Sequence, residues 1–194
     1  MESLLAQARL NQAKIILLLQ ESGRKVLTPR DLMGILSVHK DYKENTVNKI
    51  AYRLARSGIL RKMAKGKYAF SLNPPDDFLS ANFLYSPSYI SLESALSFYG
   101  IISQFPQRIT SITTRKSRGL NYGTKDFIYH HFSPKLFYGY EKVGDFLMAA
   151  PEKALFDFLY LAAKGLKRFS FEEQELNLTK VNLPVLAEYC KKHQ

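Results

Sequence analysis

Asn73-Pro74-Pro75-Asp76-Asp77 is a stretch that neither a helix nor a strand crosses easily. Two successive prolines remove two backbone donors, and the turn formers around them favour a break. The sequence therefore predicts two parts, residues 1–73 and 78–194. A chain of 194 residues suffices for one ordinary domain or two small ones, and is too short for a barrel enzyme of about 250 residues.

The two parts differ in charge. Residues 1–73 hold 14 Lys and Arg against 5 Asp and Glu, a net +9, whereas residues 74–194 hold 14 against 12, a net +2. Phe is distributed the other way: of 13, all but Phe70 lie at or after Phe78. A basic head is followed by an aromatic-rich body, in which the Tyr and Phe excess is expected to form core. Such a basic excess predicts a polyanionic partner, most often nucleic acid.

The head has the punctuation of three helices and a hairpin. A first helix is expected from about Leu4 to Gln20, with Leu5, Ala8, Ile15, Ile16, Leu18 and Leu19 on its apolar face and Gly23 at its end. Thr28, Pro29 and Asp31 form the N-terminal signature of a second helix, whose Leu32, Ile35 and Leu36 face the core. A turn at Ser37-Val38-His39-Lys40 leads to a third helix, expected to be capped by an Asp41–Glu44 box and stopped at Gly58. Val47, Ile50, Ala51 and Leu54 share its apolar side. At about 100° per residue, Asn45, Lys49, Tyr52, Arg53 and Arg56 lie opposite, with Thr46 and Asn48 beside them. Asn suits adenine edges, and Lys and Arg suit guanine edges or phosphates. Ile59–Met63 and Tyr68–Phe70 then read as two short strands joined through Gly66, carrying Arg61, Lys62, Lys65 and Lys67. This order, two capped helices joined by a short turn and then a basic hairpin, is that of a winged helix-turn-helix. The third helix would enter the major groove and the hairpin would touch phosphates or the minor groove.

The body reads as mixed α+β, so the fold expected for the whole chain is α+β: a winged helix-turn-helix followed by an α+β domain. A helix capped by Ser91 carries Leu92, Ala95, Leu96 and Tyr99. Strands are expected over Arg108–Thr114, Phe127–Phe132, Leu136–Tyr140 and Phe146–Ala149. Helices are expected from Pro151 and over Pro184–Lys192. From Ser94 to Lys125 there is no acid, while Arg108, Arg115, Lys116, Arg118 and Lys125 fall there. The segment 115–125, with Gly119 and Gly123, is expected to be a mobile basic loop able to contact DNA, a tRNA-like polyanion or an acidic protein surface.

Three stretches resemble a known family: SPSYISLESALSFYGI (86–101), ITSITTRKSRG (109–119) and MAAPEKALFDFLYL (148–161). They are similar to the C-terminal part of AbiEi-type antitoxins, regulators of type IV toxin–antitoxin and phage-abortive systems. The order of elements from about residue 5 to 165 is similar too. The resemblance implies a DNA-binding autorepressor whose C-terminal part is needed to counteract a nucleotidyltransferase-like toxin. It carries over no catalytic residues.

Other chemistry finds little support. Cys190 is the only cysteine, which excludes an intrachain disulfide framework and a multi-cysteine zinc site. A catalytic cysteine needs a base and an orienting group held rigidly, and a frayed C-terminus is a poor place for a Cys190–His193 pair. His130 and His131 are adjacent, so on a strand they face opposite ways. Glu152 and Asp157 are five apart on one helix and do not share a face; Glu152 suits the N-terminal dipole. No glycine-rich phosphate motif occurs. No catalytic centre, metal or cofactor is therefore expected. The apolar run Ile15–Leu19 falls far short of the ~20 residues that span a bilayer, and no cleavable signal is recognisable, so a cytoplasmic location without membrane attachment is expected. The expected partner is double-stranded operator DNA, with an inverted repeat as the natural target of paired readers. The competing classes are a ligand-sensing regulator with an aromatic pocket, and a nucleic-acid-processing enzyme with a DNA-binding head.

Overall fold

The computed structural model describes residues 12–38, 41–166 and 176–192. The chain is mixed α and β and divides into two compact units, residues 1–75 and 76–194.

The first unit contains α1 (Gln12–Glu21), β1 (Val26–Leu27), α2 (Pro29–Ser37), α3 (Glu44–Arg56), β2 (Leu60–Ala64) and β3 (Lys67–Phe70). Thr28 and Asp31 cap α2 reciprocally: Asp31 N–H donates to the Thr28 hydroxyl (3.2 Å), and Thr28 N–H donates to the Asp31 carboxylate (2.8 Å). β3 lies between β1 and β2, and both pairings are antiparallel. One core joins every element: Ile15 and Leu19 from α1, Leu27 from β1, Leu32 and Leu36 from α2, Leu54 and its apolar neighbours from α3, Leu60 from β2 and Phe70 from β3. Burial of this kind contributes roughly 1.5–3 kcal/mol per large apolar side chain.

Three expectations for this unit need correction. Asp41 does not cap α3: the helix starts at Glu44, and the N–H groups of Thr46 and Val47 both reach the Lys43 carbonyl (2.8 and 3.1 Å). Asp41 is two residues too early, because burial of Val47 and Ile50 fixes where the first turn begins. Glu44 is instead the first helical residue, where its carboxylate complements the dipole. β2 does not alternate; both Arg61 and Lys62 are exposed, and the pairing shifts between Lys62 and Ala64. β1 was not foreseen, since two residues carry no period and only pairing with β3 defines them. Leu5, Ala8, His39, Lys40 and His193 lie outside the described residues.

The second unit contains α4 (Asp77–Leu84), β4 (Ser88–Ile90), α5 (Leu92–Phe98), β5 (Arg108–Thr113), β6 (Arg118–Tyr122), β7 (Lys125–His131), β8 (Tyr140–Val143), β9 (Phe146–Ala149), α6 (Pro151–Ala163) and α7 (Leu183–Lys191). Its six-stranded sheet has the order β6-β7-β5-β4-β9-β8. The β5–β7 and β4–β9 pairs are parallel and the others antiparallel. Tyr89, Ile112, Phe127, Tyr129, Phe132, Met148 and Phe158 are buried, so the aromatics largely form core.

Here too the sequence reading needs amendment. The segment 115–125 is not simply a loop. Residues 118–122 form β6, an edge strand paired with β7, and only 114–117 and 123–124 connect. Its composition, rich in Arg, Gly and Asn, hides the strand because an edge faces water on one side. Leu136–Tyr140 is not a strand either; Pro134 opens a single 3₁₀ turn and the strand starts at Tyr140. α4 was not anticipated. Its cap is Asp76, whose carboxylate accepts from Leu79 N–H at 2.8 Å. Ser91 precedes α5, but its hydroxyl makes no cap hydrogen bond and turns inward instead.

Candidate nucleic-acid interface

The apolar stripe of α3 fixes what its other side can present. With Val47, Ile50, Ala51 and Leu54 buried, the outward residues are Asn45, Thr46, Asn48, Lys49, Tyr52, Arg53 and Arg56, and all seven are exposed. Thr46, Asn48, Lys49, Tyr52 and Arg53 line one shallow hollow. Tyr52 is 62% exposed, an aromatic ring left in water among polar neighbours. Among the described residues no carboxylate pairs with Lys49, Arg53 or Arg56. Long cations on such a face are free to seek an external anion. Arg61 and Lys62 on β2 and Lys65 in the following turn are exposed as well, while Lys67 at the start of β3 is half-buried. Sequence reasoning thus selected residues that share one helix surface and one hairpin of the same unit.

The second basic group is split by the structure. Arg108 lies 3.7 Å from Asp126, and Lys125 lies 3.8 Å from Asp77, so both have acidic neighbours. Arg115, Lys116 and Arg118 belong to the other end of the sheet. Thr113, the last residue of β5, sits five steps from Arg108, about 17 Å along the strand. Around Arg115 the contacts are with neutral groups: its guanidinium donates to the Ser86 carbonyl (3.3 Å) and lies 4.6 Å from the centroid of the Tyr85 ring.

The most perturbed groups were missed in the sequence. Lys153 and Asp157, four apart on α6, form an ion pair in which both side chains are 0% exposed. The other carboxylate oxygen of Asp157 accepts from the Tyr89 hydroxyl (3.0 Å) and the Ser91 hydroxyl (2.8 Å). The Lys153 ammonium lies 5.1–5.7 Å from the ring centroids of Tyr89, Phe132, Tyr138 and Phe156. Burial pushes the Asp157 carboxyl up to about 6, against the opposing pull of Lys153. Burial likewise lowers Lys153 and raises Tyr89. Beside Ser91, Leu92 adopts φ +57°, a strained value for a branched side chain, held by full burial. This network ties β4 and the start of α5 to α6. The Lys-x-x-x-Asp spacing within an apolar helix is the signal of this pair in the sequence. Glu152 itself accepts from Asn182 N–H at 2.7 Å.

Among the described residues no group of three or more His, Cys, Asp or Glu is placed to hold a metal ion, and no helix is long and apolar enough to cross a membrane. Cys190 is exposed on α7. Comparison with protein-family models and with curated proteins returns no match.

Proposed function

We propose that the first unit is a winged helix-turn-helix that binds double-stranded DNA, with α2 and α3 as the helix pair, α3 as the recognition helix and the β2–β3 hairpin as the wing. The observation that carries this reading is the outward face of α3: seven exposed polar, basic or aromatic residues, with no carboxylate paired to its cations among the described residues. A helix of 13 residues with such a face fits the major groove, and cations on a hairpin suit flanking phosphates. The resemblance to AbiEi-type antitoxins extends the proposal. The protein would be a cytoplasmic autorepressor acting on an inverted repeat, and its second unit would serve antitoxicity against a nucleotidyltransferase-like toxin. No enzymatic role is proposed. A ligand-sensing role is the second reading, favoured by one hollow in the second unit, in which Phe78, Phe98, Phe105 and Ile109 lie beside Asp76, Asp77 and Lys125.

Two substitutions separate base reading from phosphate positioning. Asn45→Ala is expected to cost about 1–3 kcal/mol on the cognate site and to relax base preference. Lys65→Ala should weaken all sequences alike and flatten the salt dependence by about one unit. Competition binding with operator variants reads both. Altered base preference from Lys65→Ala and none from Asn45→Ala would remove α3 from the recognition role. For antitoxicity, growth on co-expression with the product of a neighbouring nucleotidyltransferase-like gene is the readout. Growth arrest that the full chain fails to relieve would discard that part.

A further inference from the structure

The sheet order puts β7 between β5 and β6, so the chain must step across the C-terminal end of β7 to pass from one to the other. That step is residues 114–117, and it carries Arg115 and Lys116 over His131, the last residue of β7. The turn is pinned from several sides. Tyr85 hydroxyl donates to the Lys116 carbonyl (3.1 Å), Arg115 N–H donates to the Thr113 hydroxyl (3.2 Å) and His131 N–H donates to the Ser117 hydroxyl (2.9 Å). His131 Nδ1 lies 2.9 Å from the Arg115 carbonyl, so the ring closes the turn against the backbone. Tyr85, Arg115, Lys116, Ser117 and His131 line one open hollow, with Arg118 at its side, its guanidinium 6.0 Å from the Tyr85 centroid.

The geometry points to a binding site for an unpaired nucleotide at this corner, distinct from the α3 face and independent of its role. Three features carry it. The Arg115 guanidinium lies over the buried Tyr85 ring, 4.6 Å from its centroid, and the residue is exposed; a guanidinium plane is a known type of stacking surface for exposed bases. Lys116 and Arg118 are exposed beside it, and among the described residues no carboxylate pairs with Arg115, Lys116 or Arg118, which suits one or two phosphates. The cations do not continue as a stripe, because Arg108 and Lys125 are paired about 17 Å away. Duplex DNA, with one charge per ~1.7 Å of axis, rewards a long stripe rather than a compact corner. A free nucleotide and a single strand share the recognised chemistry.

The test uses the full-length protein, both unaltered and with Lys49→Ala and Arg53→Ala to silence α3. The probes are a labelled single-stranded RNA of about ten nucleotides, within the usual range of such sites, the same sequence as single-stranded DNA, its duplex, and AMP as competitor. Single strands should bind the silenced protein better than the duplex does. Arg115→Ala with Lys116→Ala and Arg118→Ala should weaken single-strand binding roughly tenfold and flatten its salt slope by about two units. Arg115→Lys keeps the charge and loses the plane, and should weaken binding roughly threefold. Displacement by AMP identifies a free nucleotide as sufficient; bound strands that AMP leaves in place identify a strand. Single-strand affinities within twofold of the parent for both the triple variant and Arg115→Lys would overturn the assignment. So would a duplex bound more tightly than single strands through these same residues. Neither result bears on operator binding by α3, which the unaltered protein reports separately.

Discussion

Lys153 and Asp157 illustrate how much one pair of side chains decides. A buried ion pair is weak evidence for stability, yet removing one partner strands the other charge. Asp157→Asn is expected to destabilise the second unit by about 3–5 kcal/mol, whereas Lys153→Met combined with Asp157→Leu should cost less, since it strands no charge and leaves only the Tyr89 and Ser91 hydroxyls without their acceptor. Urea unfolding of the three proteins measures this; equal losses in the single and double variants would contradict it. The pair also has a pH signature. Asp157 is raised from 3.8 to about 6 by burial, so the folded state holds its proton more tightly than the unfolded state. That contribution is fully present below about pH 4 and is lost as pH rises through about 6. The double variant, lacking it, should gain stability relative to wild type as pH rises from about 4 to 6, and a constant difference would count against the shift. Gly139 packs against the same lysine: its φ is +72°, and an added Cβ would meet Lys153 Cγ at 3.0 Å. The pair was legible only as a spacing. Lys-x-x-x-Asp on a helix usually marks a solvated pair, and burial by the surrounding aromatics is what the sequence does not print.

At the scale of elements, legibility followed local chemistry. The start of α2 could be read because Thr28, Pro29 and Asp31 act on one another within one turn. Thr28→Ala should therefore cost about 1 kcal/mol, read as a shift in thermal unfolding, and an unchanged transition would mean that the cap carries no net stability. The start of α3 could not be read from Asp41, because burial of Val47 and Ile50 overrides a local signal. β1 and β6 were invisible for a related reason: each is defined by its pairing with β3 or β7, not by its own period. The outward face of α3 was legible throughout, since a helix with four buried residues at helical spacing leaves little choice about the rest. The second basic patch was only half legible. A window without acids, 94–125, ends one residue before Asp126 and says nothing of Asp77, so the neutralised pairs looked the same as the unneutralised ones.

For the whole molecule, the uneven charge is the fact that a functional account must explain. The +9 of residues 1–73 is concentrated in a unit whose third helix keeps its cations outward, while the +2 remainder surrounds a buried ion pair and a six-stranded sheet. The proposal is that the first unit carries operator binding and the second carries antitoxicity. The most direct measurement is the affinity of the full-length protein for duplex DNA from its own promoter, taken at salt concentrations between about 50 and 200 mM. With about six phosphates neutralised, log affinity against log salt should fall with a slope near −5. Lys49→Ala with Arg53→Ala should bring that slope about two units closer to zero. A salt-independent affinity, or a slope that the double substitution leaves unchanged, would contradict DNA binding by this face of α3.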